Sequence, residues 1–403
     1  MKWLAPFPKF GEGPGLQRVS AIASWLGIEL SSFGGAGAVI VGSNGKGSTA
    51  AMTAALLEQT GAPVGLFTSP HLLDLNERFR IDGQDIDDAS LDHHWKRVVM
   101  ATERAGQMDH LGAFEFLFLI AADLFAARGC AHTVWEAGIG GRLDPVRLIE
   151  ARHLALTSLD LEHTALLGDT LEEIACDKLD AAPKGARAFV SESCAPQAEA
   201  IEAHCALRGV SCEWVAAEKM HASLAGAFQL QNAGLALRLA QTLTVLSSEQ
   251  IREGLAETRW PGRLEPLQDE PLVVIDVGHT PAAVRAALGG FEQMRGARDA
   301  VLVMGVSVDK DAASIVGALA PAFSTIVCAA AHHKGASAAI VAKYAQAANP
   351  AAEISVAESV TEARKLALLR ARGGAIYVAG GLFLAAEFKA AHLGRDPDHL
   401  GFF

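Results

Sequence analysis

Ala38-Val39-Ile40-Val41-Gly42-Ser43-Asn44-Gly45-Lys46-Gly47-Ser48-Thr49 is the stretch whose reading decides the fold. Four apolar residues form a short strand, and glycines then let the backbone turn tightly and approach an anion. The Ala/Leu-rich residues 48–58 follow with helical spacing, so the loop opens onto a helix N-terminus. Free N–H groups and the positive end of the helix dipole attract phosphate there. Lys46 has the length to reach the β- and γ-phosphates, and the Ser48 hydroxyl suits Mg²⁺. Gly47 separates the lysine from the hydroxyl residue, which is not the ordinary Walker spacing. Strand, lysine, serine and helix together still predict a nucleotide-binding loop, with Asn44, Gly45, Lys46, Gly47, Ser48 and Thr49 at the ligand.

Outward from this loop, short β-branched runs alternate with helical segments. Residues 64–68, 132–135 and 154–158 read as strands, and 113–128 and 171–181 as helices. The alternation predicts an α/β fold of βαβ units, with a mostly parallel sheet covered on both faces. Trp260-Pro261-Gly262-Arg263 and the charged, Pro-containing residues 264–271 break the pattern. It restarts at 272–275, 300–304, 325–328 and 375–379. Two domains are expected, 1–263 around the phosphate loop and 264–403 as a smaller Rossmann-like α/β unit.

Composition narrows the function. Of 403 residues, 50% are hydrophobic, ample for large cores, and the formal net charge of −12 argues against nucleic acid as a partner. Cys130, Cys176, Cys194, Cys205, Cys212 and Cys328 include no CxxC pair, which favours free thiols in a reducing compartment. The opening residues 1–8 contain no apolar run of signal-peptide length, and no stretch approaches a membrane span. The expectation is a cytoplasmic protein without a membrane partner.

The variant loop Gly-x-Asn-Gly-Lys-Gly-Ser resembles that of the folylpolyglutamate and dihydrofolate synthases, a branch of the Mur-ligase superfamily. Further segments are similar to the family in the same order. They are Leu66-Phe67-Thr68-Ser69-Pro70-His71-Leu72, Asn76-Glu77-Arg78-Phe79-Arg80-Ile81, and Glu136-Ala137-Gly138-Ile139-Gly140-Gly141-Arg142-Leu143-Asp144. Next come the His163-containing run to Ala175, Trp260-Pro261-Gly262-Arg263-Leu264-Glu265, Asp276-Val277-Gly278-His279, and Val303-Met304-Gly305 through Asp309-Lys310-Asp311. The resemblance implies a P-loop Mur-ligase domain joined to an amino-acid-binding domain, acting as a monomer. It implies a ligase that uses ATP to activate a carboxylate as an acyl phosphate, which the amine of an amino acid, L-glutamate in this family, then attacks.

On that resemblance the residues acquire roles. Ser48, Ser69 and Glu136 surround one Mg²⁺, and His163 with Glu136 a second. Lys46, His163 and Lys178 form the catalytic set, with Lys178 converted by carbon dioxide to a carbamate. Taken alone, Lys178 is a solvated helix lysine and His163 a polar loop residue. Asn232 would contact adenine, although Asn is also a common helix cap. Arg263 would clamp phosphate, Asp276 the ribose, and His279 would approach the phosphates; for Asp276 a turn or cap role competes. Phe114, Glu115, Arg142, Leu143 and Asp144 fall where a pterin-type carboxylate substrate binds.

Four segments depart from the family pattern. Pro145-Val146-Arg147 stands for Ala-Thr-Asn, Leu179-Asp180-Ala181 for Ala-Gly-Ile, Thr280 for Asn, and Gly112-Ala113 for Thr-Phe. Losing an aromatic platform weakens pterin stacking, so an altered acyl substrate in a sibling ligase competes with a folate enzyme. A P-loop kinase or switch, or a non-catalytic scaffold, would have no use for His163 and Lys178 together. Lys178→Ala is expected to abolish turnover and to regain part of it with added acetate or formate. Activity unaffected by the substitution would rule the carbamate out.

Overall fold

Strand β1 (Gly37–Val41) is buried at every residue and lies inside an eight-stranded sheet. The computed structural model describes residues 11, 13, 15–218 and 222–402, so the opening residues 1–8 lie outside the described residues. The sheet adds β2 (Val64–Phe67), β3 (Phe79–Ile81), β4 (Gln84–Asp85), β5 (His132–Glu136), β6 (His153–Leu156), β7 (Arg187–Ser191) and β8 (Ser211–Val215). Its order is β4-β3-β2-β5-β1-β6-β7-β8. From β2 to β8 all neighbours are parallel, while β3 and β4 turn back antiparallel. From β1 the chain crosses to β2 on one side and later reaches β6 on the other, which opens a crevice at the strands' carboxyl ends.

Both faces of this sheet are covered. Helix Lys46–Glu58 is buried from Gly47 to Leu57, because helices Gln229–Leu243 and Ser248–Glu257 pack over it. On the other face, helix Ala113–Arg128 is buried from Glu115 to Phe125. There Trp135 lies 5.3 Å from the Phe118 ring and 4.9 Å from Phe125. Among the described residues no helix is long and apolar enough to cross a membrane.

A second sheet contains β9 (Glu265–Asp269), β10 (Leu272–Ile275), β11 (Ala300–Met304), β12 (Thr325–Cys328), β13 (Glu353–Val356) and β14 (Ala375–Ala379). Its order is β13-β12-β11-β14-β10-β9, parallel except for β9 on β10. Residues 264–271, read from sequence as a break, thus contain a strand. Pro266 is tolerated because β9 is an edge, where a missing N–H costs no ladder bond.

At Gly65 of β2 a side chain has no room, since a Cβ would lie 2.7 Å from the Phe125 ring. Overpacking of this kind costs about 1–3 kcal/mol. Gly65→Ala is expected to lower the urea midpoint accordingly; an unchanged midpoint would mean that Phe125 yields freely.

Candidate active site

Register places Ile40 of β1 beside Glu136 of β5 and Val41 beside Leu156 of β6, so the loops after these strands leave side by side. The loop after β1 is tied from behind. Ser43 N–H donates to the Ser158 carbonyl (2.9 Å), Asn44 N–H to Ser158 Oγ (2.8 Å), and Thr157 Oγ1 to the Asn44 carbonyl (2.6 Å). Gly45, at φ 87°, starts the helix; a Cβ there would lie 2.5 Å from Asn232 Oδ1. Lys46 Nζ turns back to the Gly42 carbonyl at 2.9 Å. Thr49 Oγ1 is buried with no hydrogen-bond partner among the described residues.

Lys178 is 1% exposed, which removes its reading as a solvated helix lysine. Helix Leu171–Leu179, begun by the Thr170 capping box, delivers it beneath the phosphate loop. Its Nζ donates to the Gly42 carbonyl at 3.1 Å and to Glu162 Oε1 at 2.9 Å. Burial lowers the Lys178 pKa, as does Lys46, while Glu162 opposes the shift. Burial alone would raise the Glu162 carboxyl, yet Lys46, Lys178 and a bond from Ser43 hold it at about 2. His163, next along the chain, is exposed and adopts φ 48°. Desolvation lowers its pKa, and Lys310, Lys46 and Lys178 add to the shift against Glu162.

One cleft between the sheets gathers Gly47, Ser69, Glu136, Arg263 and His279, with Trp260 on its wall. Glu136 ends β5 and is 4% exposed. Burial raises its pKa, while Lys46, the Ser69 N–H bond (2.9 Å), Arg263 and Arg78 favour the carboxylate. His279, also in this cleft, is pushed down to about 4 by burial first and then by Lys310. Ser48 is buried and receives a bond from Gln229 Nε2 at 3.3 Å. Gln229 Oε1 in turn accepts from Asn232 Nδ2 at 2.8 Å. Asn232 lies inside helix Gln229–Leu243 and therefore is not its cap. No three His, Cys, Asp or Glu side chains cluster as a metal site among the described residues. His163 is not among the residues lining this cleft, so an ion here would rely on hydroxyls and on Glu136 at the end of β5.

Three expected ligand contacts are committed to the protein itself. Asp276, 3% exposed, accepts from Leu264 N–H (3.1 Å) and Gly278 N–H (2.8 Å), so the turn role describes it better than a ribose contact. Asp144 accepts from Gly138, Ile139 and Val146 N–H groups, and burial pushes its carboxyl to about 6. Glu115 pairs with Arg18 through two 2.8 Å bonds and takes the Gly112 N–H at 2.9 Å. Arg142 reaches Asp177 at 3.0 Å, and Leu143 is 48% exposed. Phe114 packs beside Gly138, on the same loop as Arg142. Pro145 and Val146 are buried in the 3-10 turn Pro145–Ile149 that Asp144 caps, and neither lines the cleft.

Comparison with known proteins places this architecture. A folylpolyglutamate synthase of Lacticaseibacillus casei is 32% identical over 322 residues, covering 71% of this chain and 74% of that protein. The chain belongs to the folylpolyglutamate synthase family of Mur ligases. Residues 262–382 match the family described as Mur ligase, glutamate ligase domain. A probable bifunctional folylpolyglutamate synthase/dihydropteroate synthase of Haloferax volcanii is 33% identical over 96% of this chain; the chain spans about half the length of that relative. The Mycobacterium tuberculosis folylpolyglutamate synthase, solved with ADP and AMPPCP, superposes with a TM-score of 0.87 at 26% identity, covering 95% of this chain and 96% of that one. A bifunctional folylpolyglutamate synthase/dihydrofolate synthase with Mn, AMPPNP and L-glutamate bound has a TM-score of 0.84 at 27% identity, with 97% of each chain covered.

Set against this folylpolyglutamate synthase fold, sequence reasoning gave no role to Glu162, Gln229, Lys310 or Trp260, although Trp260 and Lys310 fell inside family-like segments. Glu162 carried one signal, an acid directly before His163; Gln229 carried none, because its partner Ser48 lies 181 residues away. Glu162 also yields a pH dependence. Its carboxyl is depressed from 4.5 to about 2, so the stability it contributes is complete above pH 4.5 and is lost as the pH falls toward 2. Glu162→Gln is expected to flatten that acid limb in denaturation curves. An identical limb in both proteins would disprove the pairing.

Proposed function

We propose that this chain is an ATP-dependent amide ligase that activates a substrate carboxylate as an acyl phosphate and joins it to L-glutamate. Dihydropteroate or a reduced folate is the acyl substrate. The observation that carries this reading is the convergence of Lys46, Lys178, Glu162 and Glu136 where β1 and β5 end. A nucleotide switch has no need of a buried lysine–glutamate pair beside its phosphate loop.

In the reaction the γ-phosphoryl group of ATP passes to the carboxylate, the glutamate amine attacks, and the tetrahedral intermediate expels phosphate. Lys46 and the first N–H groups of its helix hold the phosphates, and Arg263 closes on them from the linker. Asn232 meets adenine beside Gly45, while His279 faces the phosphates. The oxygen-rich set of Ser48, Ser69 and Glu136, completed by His163, fits magnesium in one or two sites. Bound magnesium would neutralise the facing anions. Carbamate formation at Lys178 requires the neutral amine; burial and Lys46 favour proton loss, and the carbamate would form at the expense of the ion pair with Glu162. We place the domain boundary near residue 264. The six unpaired cysteines suit a reducing cytoplasm.

A second reading, a sibling ligase with a non-folate acyl substrate, is favoured by one region. Pro145–Ile149 winds into a buried turn, and Ala113 leaves Phe114 as the ring beside the Gly138 loop. Phosphate release from MgATP, measured with L-glutamate plus dihydropteroate, L-glutamate plus tetrahydrofolate, or no acceptor, decides between them. A glutamylated pterin, identified by mass, is the expected product. ATP binding without pterin-dependent turnover would transfer the assignment to the sibling ligase.

A further inference from the structure

After β2 the chain enters a loop, residues 68–78, that is held together from within. Thr68 N–H donates to the Arg78 carbonyl at 3.1 Å and closes its base. The Glu77 carboxylate fills its interior, accepting from Leu72, Leu73 and Asp74 N–H groups at 2.7, 2.8 and 2.9 Å. Three bonds to one carboxylate make the loop a single body. At its inner end Ser69 donates to Glu136.

The outer end belongs to the other sheet. Leu72 and Leu73, 4% and 8% exposed, lie in the core built on β10, β11, β12 and β14. The segment after helix Leu382–His392 then crosses back over the loop. Arg395 grips Asp74 through two bonds of 2.7 Å each. The His71 ring accepts from Arg78 Nε at 2.9 Å, which leaves its other nitrogen to donate to the Gly401 carbonyl at 3.1 Å. Phe402 stacks on that ring at 5.7 Å and 8°.

We propose that Arg395 is a positioning residue for the ligase reaction. Through Asp74 it holds loop 68–78, and with it Ser69, against Glu136, so that placement of the second sheet sets the divalent-metal environment. The inference rests on the metal reading of Ser69 and Glu136 given above. The two partners are 43% and 54% exposed in their side chains, so the pair contributes little to global stability. Its forked geometry instead fixes direction, which a lysine cannot reproduce.

The test is the Mg²⁺ dependence of ADP binding, measured by calorimetry on the full chain. The proteins compared are the unsubstituted chain, Arg395→Gln, Asp74→Asn and the double variant; Asn retains the capping ability of Asp at the following turn. Each single change is expected to raise the half-saturating Mg²⁺ concentration roughly fivefold. The double variant is expected to be no worse than either single one, because both remove the same contact. Arg395→Lys, which keeps the charge and loses the fork, falls between. Unchanged Mg²⁺ dependence, or effects that multiply in the double variant, would overturn the proposal. ADP binding by the unsubstituted chain that ignores Mg²⁺ would instead remove the metal reading on which it stands.

Discussion

A lysine ammonium that is 1% exposed must find compensation in the protein, because an unpaired buried charge is strongly destabilising. Lys178 finds it in the Gly42 carbonyl and the Glu162 carboxylate. Those two contacts tie the phosphate loop to a stretch more than a hundred residues later, the loop that carries His163 and the helix Leu171–Leu179 that follows it. Much of the site follows from that constraint. Lys46 lies within electrostatic reach of the same pair and also of Glu136. The cations and anions are thus interleaved, and neither sign gathers unopposed.

The junction between the sheets likewise rests on carboxylates, one buried and one partly so. Asp276 ties the end of β10 to the linker at Leu264, and Glu265 of β9 takes the Gly262 N–H at 2.8 Å while pairing with Lys389. Arg263 is therefore presented from a linker fixed on both sides. Loop 68–78 is the reciprocal connection, since it leaves the first sheet and places two leucines in the core of the second. A third contact, Ala225 and Phe228 just before helix Gln229–Leu243, also packs on the second core.

The fold was legible where one kind of period ruled. Strands β10, β11, β12 and β14 and helix Ala113–Arg128 fell on the expected residues, because runs of Val, Ile, Leu and Phe buried on all sides resemble nothing else. Edge strands were not legible: β9 contains Pro266 and alternates weakly, and its identity comes from pairing with β10. The strand–loop–helix form of residues 38–58 and a strand leading up to Glu136 were legible from local pattern. The internal partners of Asp276, Asp144 and Glu115 were not legible, because a carboxylate that accepts from backbone N–H groups or from Arg18 is written identically to one that faces solvent. Glu162 and Gln229 depend on partners brought close only by tertiary structure.

The Trp260 indole lies against the phosphate loop, where a Cβ on Gly47 would be 2.9 Å from its ring, and the Arg80 guanidinium sits 5.0 Å above it. Indole emission responds to nearby charge and polarity. The linker thus contains an optical reporter placed between the phosphate loop and a cation, one whose signal changes when either neighbour moves.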